Sequence, residues 1–90
     1  MRVIWSAKAL AELDRIRCYI EDRNPDAARR VSVAIVQAES QLADYPRLGV
    51  VRPNGAYVLT LARHPYRLGY AIKADQIMIA TVRHWRWRTF

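Results

Sequence analysis

The run Tyr66-Arg67-Leu68-Gly69-Tyr70 and the ending Val82-Arg83-His84-Trp85-Arg86-Trp87-Arg88-Thr89-Phe90 hold the residues best suited to chemistry on a polyanion. In a strand, side chains alternate, so Tyr66, Leu68, Tyr70 and Ile72 take one face and Arg67, Gly69 and Ala71 the other. Arg67 then stands among small neighbours, and its planar guanidinium can grip a phosphate or carboxylate in two places. In the ending, cations alternate with aromatics, a pattern that pairs phosphates while Trp85 and Trp87 stack on bases. Arg52, Arg63, Arg67, Arg83, Arg86 and Arg88 are the candidate phosphate or target contacts. The same ending also reads as an edge strand whose tryptophans close the core and whose arginines keep it soluble.

Cleavage of RNA by its own 2′-hydroxyl needs a base, a stabiliser of the extra phosphate charge and a proton donor for the leaving oxygen. Arg67 suits the second role. His84 is the candidate base, since the only carboxylate in the basic half, Asp75, falls in a turn. With Ile77 and Ile79 turned to the helices, plain alternation puts Met78, Ala80, Val82 and His84 on the face of Arg67. A slip of one residue exchanges Arg83 for His84, so both remain site candidates. A metal-assisted route lacks clustered acids, and neither a glycine-rich phosphate loop nor a nucleophile elbow is present. No cofactor or metal is expected.

Charge reinforces the choice of partner. Residues 47–90 carry eight arginines and lysines against Asp75, whereas the first 46 residues balance seven bases with seven acids, so the whole net charge of +7 lies in the second half. Thirteen of the fifteen cations are arginine, which favours recognition over mere solubility, although a coding bias toward arginine would give the same excess without the clustering. A concentrated basic surface attracts phosphate backbones or acidic protein segments. The single Cys18 forms no internal disulfide, no run is long and apolar enough to span a bilayer, and no signal peptide opens the chain. A cytoplasmic location fits these features.

Ninety residues make one domain, 1–90, with one small core. Arg2-Val3-Ile4-Trp5 is a short β-prone run, and Ser6 is a good helix N-cap. A first helix is predicted from Ala7 to Asp22, with Leu10, Leu13, Ile16 and Ile20 as its apolar stripe. Asn24-Pro25-Asp26 stops it and starts a second, which carries Ala28, Val31, Ile35, Ala38 and Leu42 inward and ends at Tyr45-Pro46. So tight a join makes an antiparallel helical hairpin. Beyond a Pro- and Gly-containing linker the period becomes alternating, giving strands near Ala56–Ala62, Tyr66–Ile72 and Gln76–Arg83 whose short connections make them antiparallel. The fold class is therefore α+β, an N-terminal strand and a helical hairpin packed on an antiparallel sheet.

This order of elements, with Val3-Ile4-Trp5-Ser6, Tyr19-Ile20, Asn24-Pro25, Ala27-Ala28, Pro46-Arg47-Leu48-Gly49, Pro65-Tyr66-Arg67-Leu68-Gly69-Tyr70 and Val82-x-His84, resembles the ParE/RelE toxin superfamily over nearly the whole chain. The resemblance implies the toxin of a bacterial type II toxin-antitoxin module, a growth inhibitor bound in a hetero-oligomer by an antitoxin with an acidic or amphipathic segment. ParE-like members poison DNA gyrase, and RelE-like members cut messenger RNA on the ribosome. Asn24-Pro25 and Ala27-Ala28 with the long hairpin resemble the first branch. Arg67 matches an arginine that RNA-cleaving relatives use on the phosphate, and His84 lies near their C-terminal functional residues. The lysines of RelE have no evident counterparts, and Trp87 and Phe90 stand where those nucleases carry a tyrosine. The favoured expectation is a gyrase poison without catalysis. The alternatives are a ribosome-dependent endoribonuclease using Arg67 and His84, and a nonspecific nucleic-acid-binding module.

Overall fold

Residues 1–84 are described by a computed structural model of the chain. The elements run β1 (Arg2–Trp5), α1 (Ala7–Arg23), α2 (Pro25–Asp44), β2 (Val50–Val51), β3 (Tyr57–Thr60), β4 (Tyr66–Lys73) and β5 (Gln76–His84).

Local chemistry sets the helix ends. Ser6 caps α1, its Oγ accepting from the Ala9 N–H at 3.0 Å. Asn24 serves both helices: its N–H donates to Ile20 O at 2.7 Å and closes α1, while its Oδ1 accepts from Ala27 N–H at 3.1 Å and opens α2. Pro25 occupies the first turn of α2, where its missing N–H costs nothing. One residue therefore bends the chain into the hairpin.

All five residues of the expected α2 stripe are buried. On α1 the stripe is displaced: Leu10 is 53% exposed, and the buried positions are Ala9, Glu12 and Ile16, with Leu13 and Ile20 packed at their margin. Sheet residues Leu68, Tyr70, Ile77, Ile79 and Val82 complete the core, and full burial of each stabilises the fold by about 1.5–3 kcal/mol. Trp5 ties β1 to α2 by donating from Nε1 to Glu39 Oε1 at 2.6 Å.

The five strands form one sheet in the order β1-β5-β4-β3-β2. Strands β2 to β5 are antiparallel to their neighbours, as the short connections require. The N-terminal strand joins the same sheet, parallel to β5, so the sheet is mixed rather than wholly antiparallel. Most of the chain separates those two strands, and no turn length fixes their relative direction. The linker also holds an unforeseen element, the two-residue β2, brought to the edge by Tyr70. The Tyr70 hydroxyl donates to Pro46 O at 2.8 Å and accepts from Gly49 N–H at 2.9 Å, which pins the turn before β2 to the sheet.

Candidate functional site

Strand pairing sets Thr60, Arg67 and Arg83 side by side across β3, β4 and β5, on the sheet face turned away from the helices. Along the same face Gly69 lies between Val58 and Thr81, so the row beside Arg67 is low. Arg67 is half-buried, and among the described residues its Nε is buried without a hydrogen-bond partner. Two guanidinium groups directly opposite one another repel, and a buried polar N–H left unpaired is costly. Both terms become favourable when an anion is seated between them. Thr60, Arg67 and Arg83 are register neighbours on one face of the sheet.

His84 is not on that face. The pairing of β4 with β5 slips between Gly69 and Tyr70: Gly69 faces Thr81 while Tyr70 faces Ile79, and Ala80 is the extra residue of a β-bulge. The bulge reverses alternation. Val82 is fully buried in the core, and His84 pairs with Tyr66 on the helix side, the two rings meeting edge to face at 5.4 Å. Plain alternation put Val82 and His84 beside Arg67. The correction is that Arg83 takes that position, and the sheet separates Arg67 from His84.

A residue that sequence reasoning passed over organises the bulge. Glu12 on α1 is buried, and its Oε1 accepts from Val82 N–H at 3.1 Å and from Thr81 Oγ1 at 2.7 Å. Its second oxygen lies 3.8 Å from Arg83 Nε. Pairing with β1 stops at Ile79, so from Ala80 onward the outer edge of β5 has no neighbouring strand in the described residues. Ser6 and Glu12 supply the missing partners: Ser6 N–H donates to Ile79 O and Ser6 Oγ to Ala80 O. The available signal was a carboxylate at helical spacing between Ala9 and Ile16, on the stripe itself.

Glu12 also lines a cleft between α1 and the end of β5, with Arg15, Tyr19, Tyr66, Arg83 and His84. Burial, and to a lesser extent the neighbouring Tyr19, push the Tyr66 phenol above its ordinary range. At neutral pH it keeps its proton and serves as a donor, not a base. Tyr19 is covered on one ring face by the Arg23 guanidinium, 3.8 Å from the centroid.

The comparisons with known proteins agree with this architecture. The family model described as "ParE toxin of type II toxin-antitoxin system, parDE" matches residues 3–86. The chain belongs to the ParE toxin family. A putative toxin, Y4kP, of Sinorhizobium fredii is 43% identical over 86 residues, covering 92% of this chain and 86% of the relative. Toxin RelE2 of Caulobacter vibrioides is 32% identical over 83 residues, covering 92% and 93%. A solved structure, "Chromosomal ParDE TA system from P. aeruginosa", superposes with a TM-score of 0.80 at 28% identity, covering 93% of this chain and 95% of the other. This chain is therefore similar both to a relative named RelE and to a solved structure titled ParDE.

In this ParE-family toxin the remaining candidates are dispersed. Arg63 lies in the exposed loop after β3, at the Thr60 end, with φ of 67°. Arg52 is exposed beyond the other end of β3, at the β2–β3 turn, about 10 Å or more away at the rise of a strand. Trp85, Arg86, Trp87 and Arg88 lie outside the described residues. Among the described residues no group of three or more His, Cys, Asp or Glu gathers to hold a metal ion, and no helix is long and apolar enough to cross a membrane.

Proposed function

We propose that this ParE-family toxin inhibits growth by binding DNA gyrase in the cytoplasm, without chemistry of its own, and that a cognate antitoxin holds it inactive as a hetero-oligomer. One observation supports binding over cleavage: Arg67, which would steady a scissile phosphate, lies across the sheet from His84, which would move its protons. A phosphate on Arg67 would have Arg83 and Thr60 for neighbours, a guanidinium and a hydroxyl suited to gripping an anion. The resemblance to ParE supports gyrase as the target. The antitoxin follows from it too, together with the solved relative, which is named as a ParDE toxin-antitoxin system. An acidic antitoxin segment complements the cationic half of the chain and neutralises the charge with which it would meet its target.

The endoribonuclease is the second reading, because the cleft between α1 and the end of β5 brings His84 together with Tyr66 and Arg15. The test takes both readings at once. The chain is induced in cells without antitoxin while chromosomal breaks and transcripts are followed, and the purified chain is added to gyrase on relaxed plasmid. DNA breaks, lost supercoiling and intact transcripts are the expected result. Rapid cutting of transcripts at ribosome-bound codons with gyrase unaffected would replace the proposal with the nuclease.

A further inference from the structure

We infer that Glu12 is a positioning residue that selects the register of β5 and thereby decides that Arg83, not His84, stands beside Arg67. Ile77 and Ile79 face the helices, and without a bulge Thr81 and Arg83 would follow them inward while Val82 and His84 turned outward. The observed chain inserts Ala80 as an unpaired residue and reverses that order. Burial of Val82 favours the reversal, but it also turns the Val82 N–H to an edge where no strand of the described residues continues. That N–H is buried and needs an acceptor.

The acceptor is the Glu12 carboxylate. One oxygen receives both Val82 N–H and Thr81 Oγ1, the two groups that follow the bulge, and the other faces Arg83 Nε. Ser6, the N-cap of α1, fixes the bulged residue itself through Ala80 O. Ser6 caps α1 and Glu12 lies in its N-terminal half, so this end of the helix acts as a template for the strand. The assignment of register stands on this geometry alone. Its consequence for toxicity rests on the proposed role of the Arg67 and Arg83 face.

Deletion of Ala80 gives a sharp test. Without that residue, plain alternation from Ile79 already sends Val82 inward and Arg83 outward, so the observed faces no longer require a bulge. The full chain is compared by NMR as wild type, Glu12→Ala, the Ala80 deletion and the combination, reading the backbone cross-strand contact of Arg67 with Arg83 and the ring-current shift of His84 against Tyr66. Glu12→Ala is expected to lose both signals, or to fail to fold, and the combined variant to regain them. Glu12→Gln keeps an oxygen for Val82 N–H and is expected to retain both. The inference is overturned if Glu12→Ala keeps both signals, if the combined variant does not regain them, or if the deletion alone loses them. It is also overturned if Glu12→Gln loses them. Gyrase inhibition is measured on the same proteins. Its absence in the wild type would count against the proposed target and leave the NMR comparison intact.

Discussion

Arg67 and Arg83 are direct partners across β4 and β5, on the sheet face that no helix of the described chain covers. Like charges so placed weaken a sheet unless something else requires them, and here the Arg67 Nε is in addition buried without a partner. The role proposed for this face is to seat an anion, which would offset that cost. Arg83 has some relief from Glu12 at 3.8 Å, so Arg67 is the sharper probe.

Arg67→Met keeps the hydrocarbon length and removes the charge. It should leave thermal stability unchanged or raise it by up to about 1 kcal/mol, since an unpaired buried donor disappears. Growth inhibition should be lost. Arg67→Lys should also lose most inhibition, because an ammonium offers no planar fork. Melting temperature and growth after induction give the answer, and a fully toxic Arg67→Met would remove Arg67 from the site.

Gly49→Ala probes the latch before β2. A Cβ there would stand 2.8 Å from Val58 O and 2.9 Å from the Tyr70 hydroxyl oxygen, both closer than carbon and oxygen tolerate. Backbone and a buried ring must both move, so the expected loss is about 1–3 kcal/mol, the usual cost of overpacking. Tyr70→Phe should cost about 1–2 kcal/mol by stranding Pro46 O and Gly49 N–H. Because the Val58 carbonyl remains in the way, combining the two should not rescue Gly49→Ala. Chemical denaturation of the three variants decides it.

Much of this fold was legible because its determinants are local. Asn24-Pro25 announced the break between helices, the α2 stripe was read residue for residue, and the core face of β4 followed from alternation. What escaped depends on partners far away in the chain. Leu10 looked more like core than Ala9 because apolar size was weighed without the sheet that Ala9 meets. Glu12 stood outside the predicted stripe because its hydrogen-bond donors lie 69 and 70 residues later. The bulge at Ala80 has no glycine or proline to mark it, and it was this one residue that moved His84 away from Arg67.

Arg63 separates backbone strain from charge. Its φ of 67° is left-handed, a conformation that costs a residue with a Cβ about 1 kcal/mol. Arg63→Ala keeps the strain and Arg63→Gly relieves it, while both lose the cation. The glycine variant should therefore be the more stable by a few tenths to about 1 kcal/mol, after allowing for its freer unfolded chain. Inhibition by the two should fall equally if Arg63 contributes charge to the target. Equal stability would argue against strain in this loop, and unequal inhibition would mean that loop shape, not charge, meets the target.

The tyrosines set an alkaline limit. Burial raises the Tyr70 phenol above its ordinary value, opposed in part by the bond from Gly49 N–H, and burial likewise raises Tyr66. A group whose folded pKa lies above its unfolded one binds its proton more tightly when folded, so its contribution to stability is complete below about pH 10 and is lost as pH rises through the folded value. Ionised Tyr70 also ceases to donate to Pro46 O, which frees the turn before β2. Tyr66 and Tyr70 should therefore titrate above the ordinary phenol range by ultraviolet absorbance, and unfolding free energy should decline above about pH 10. Tyr70→Phe should start lower at neutral pH and fall less steeply across that range. Parallel curves for wild type and Tyr70→Phe would show that the hydroxyl does not couple the latch to the sheet.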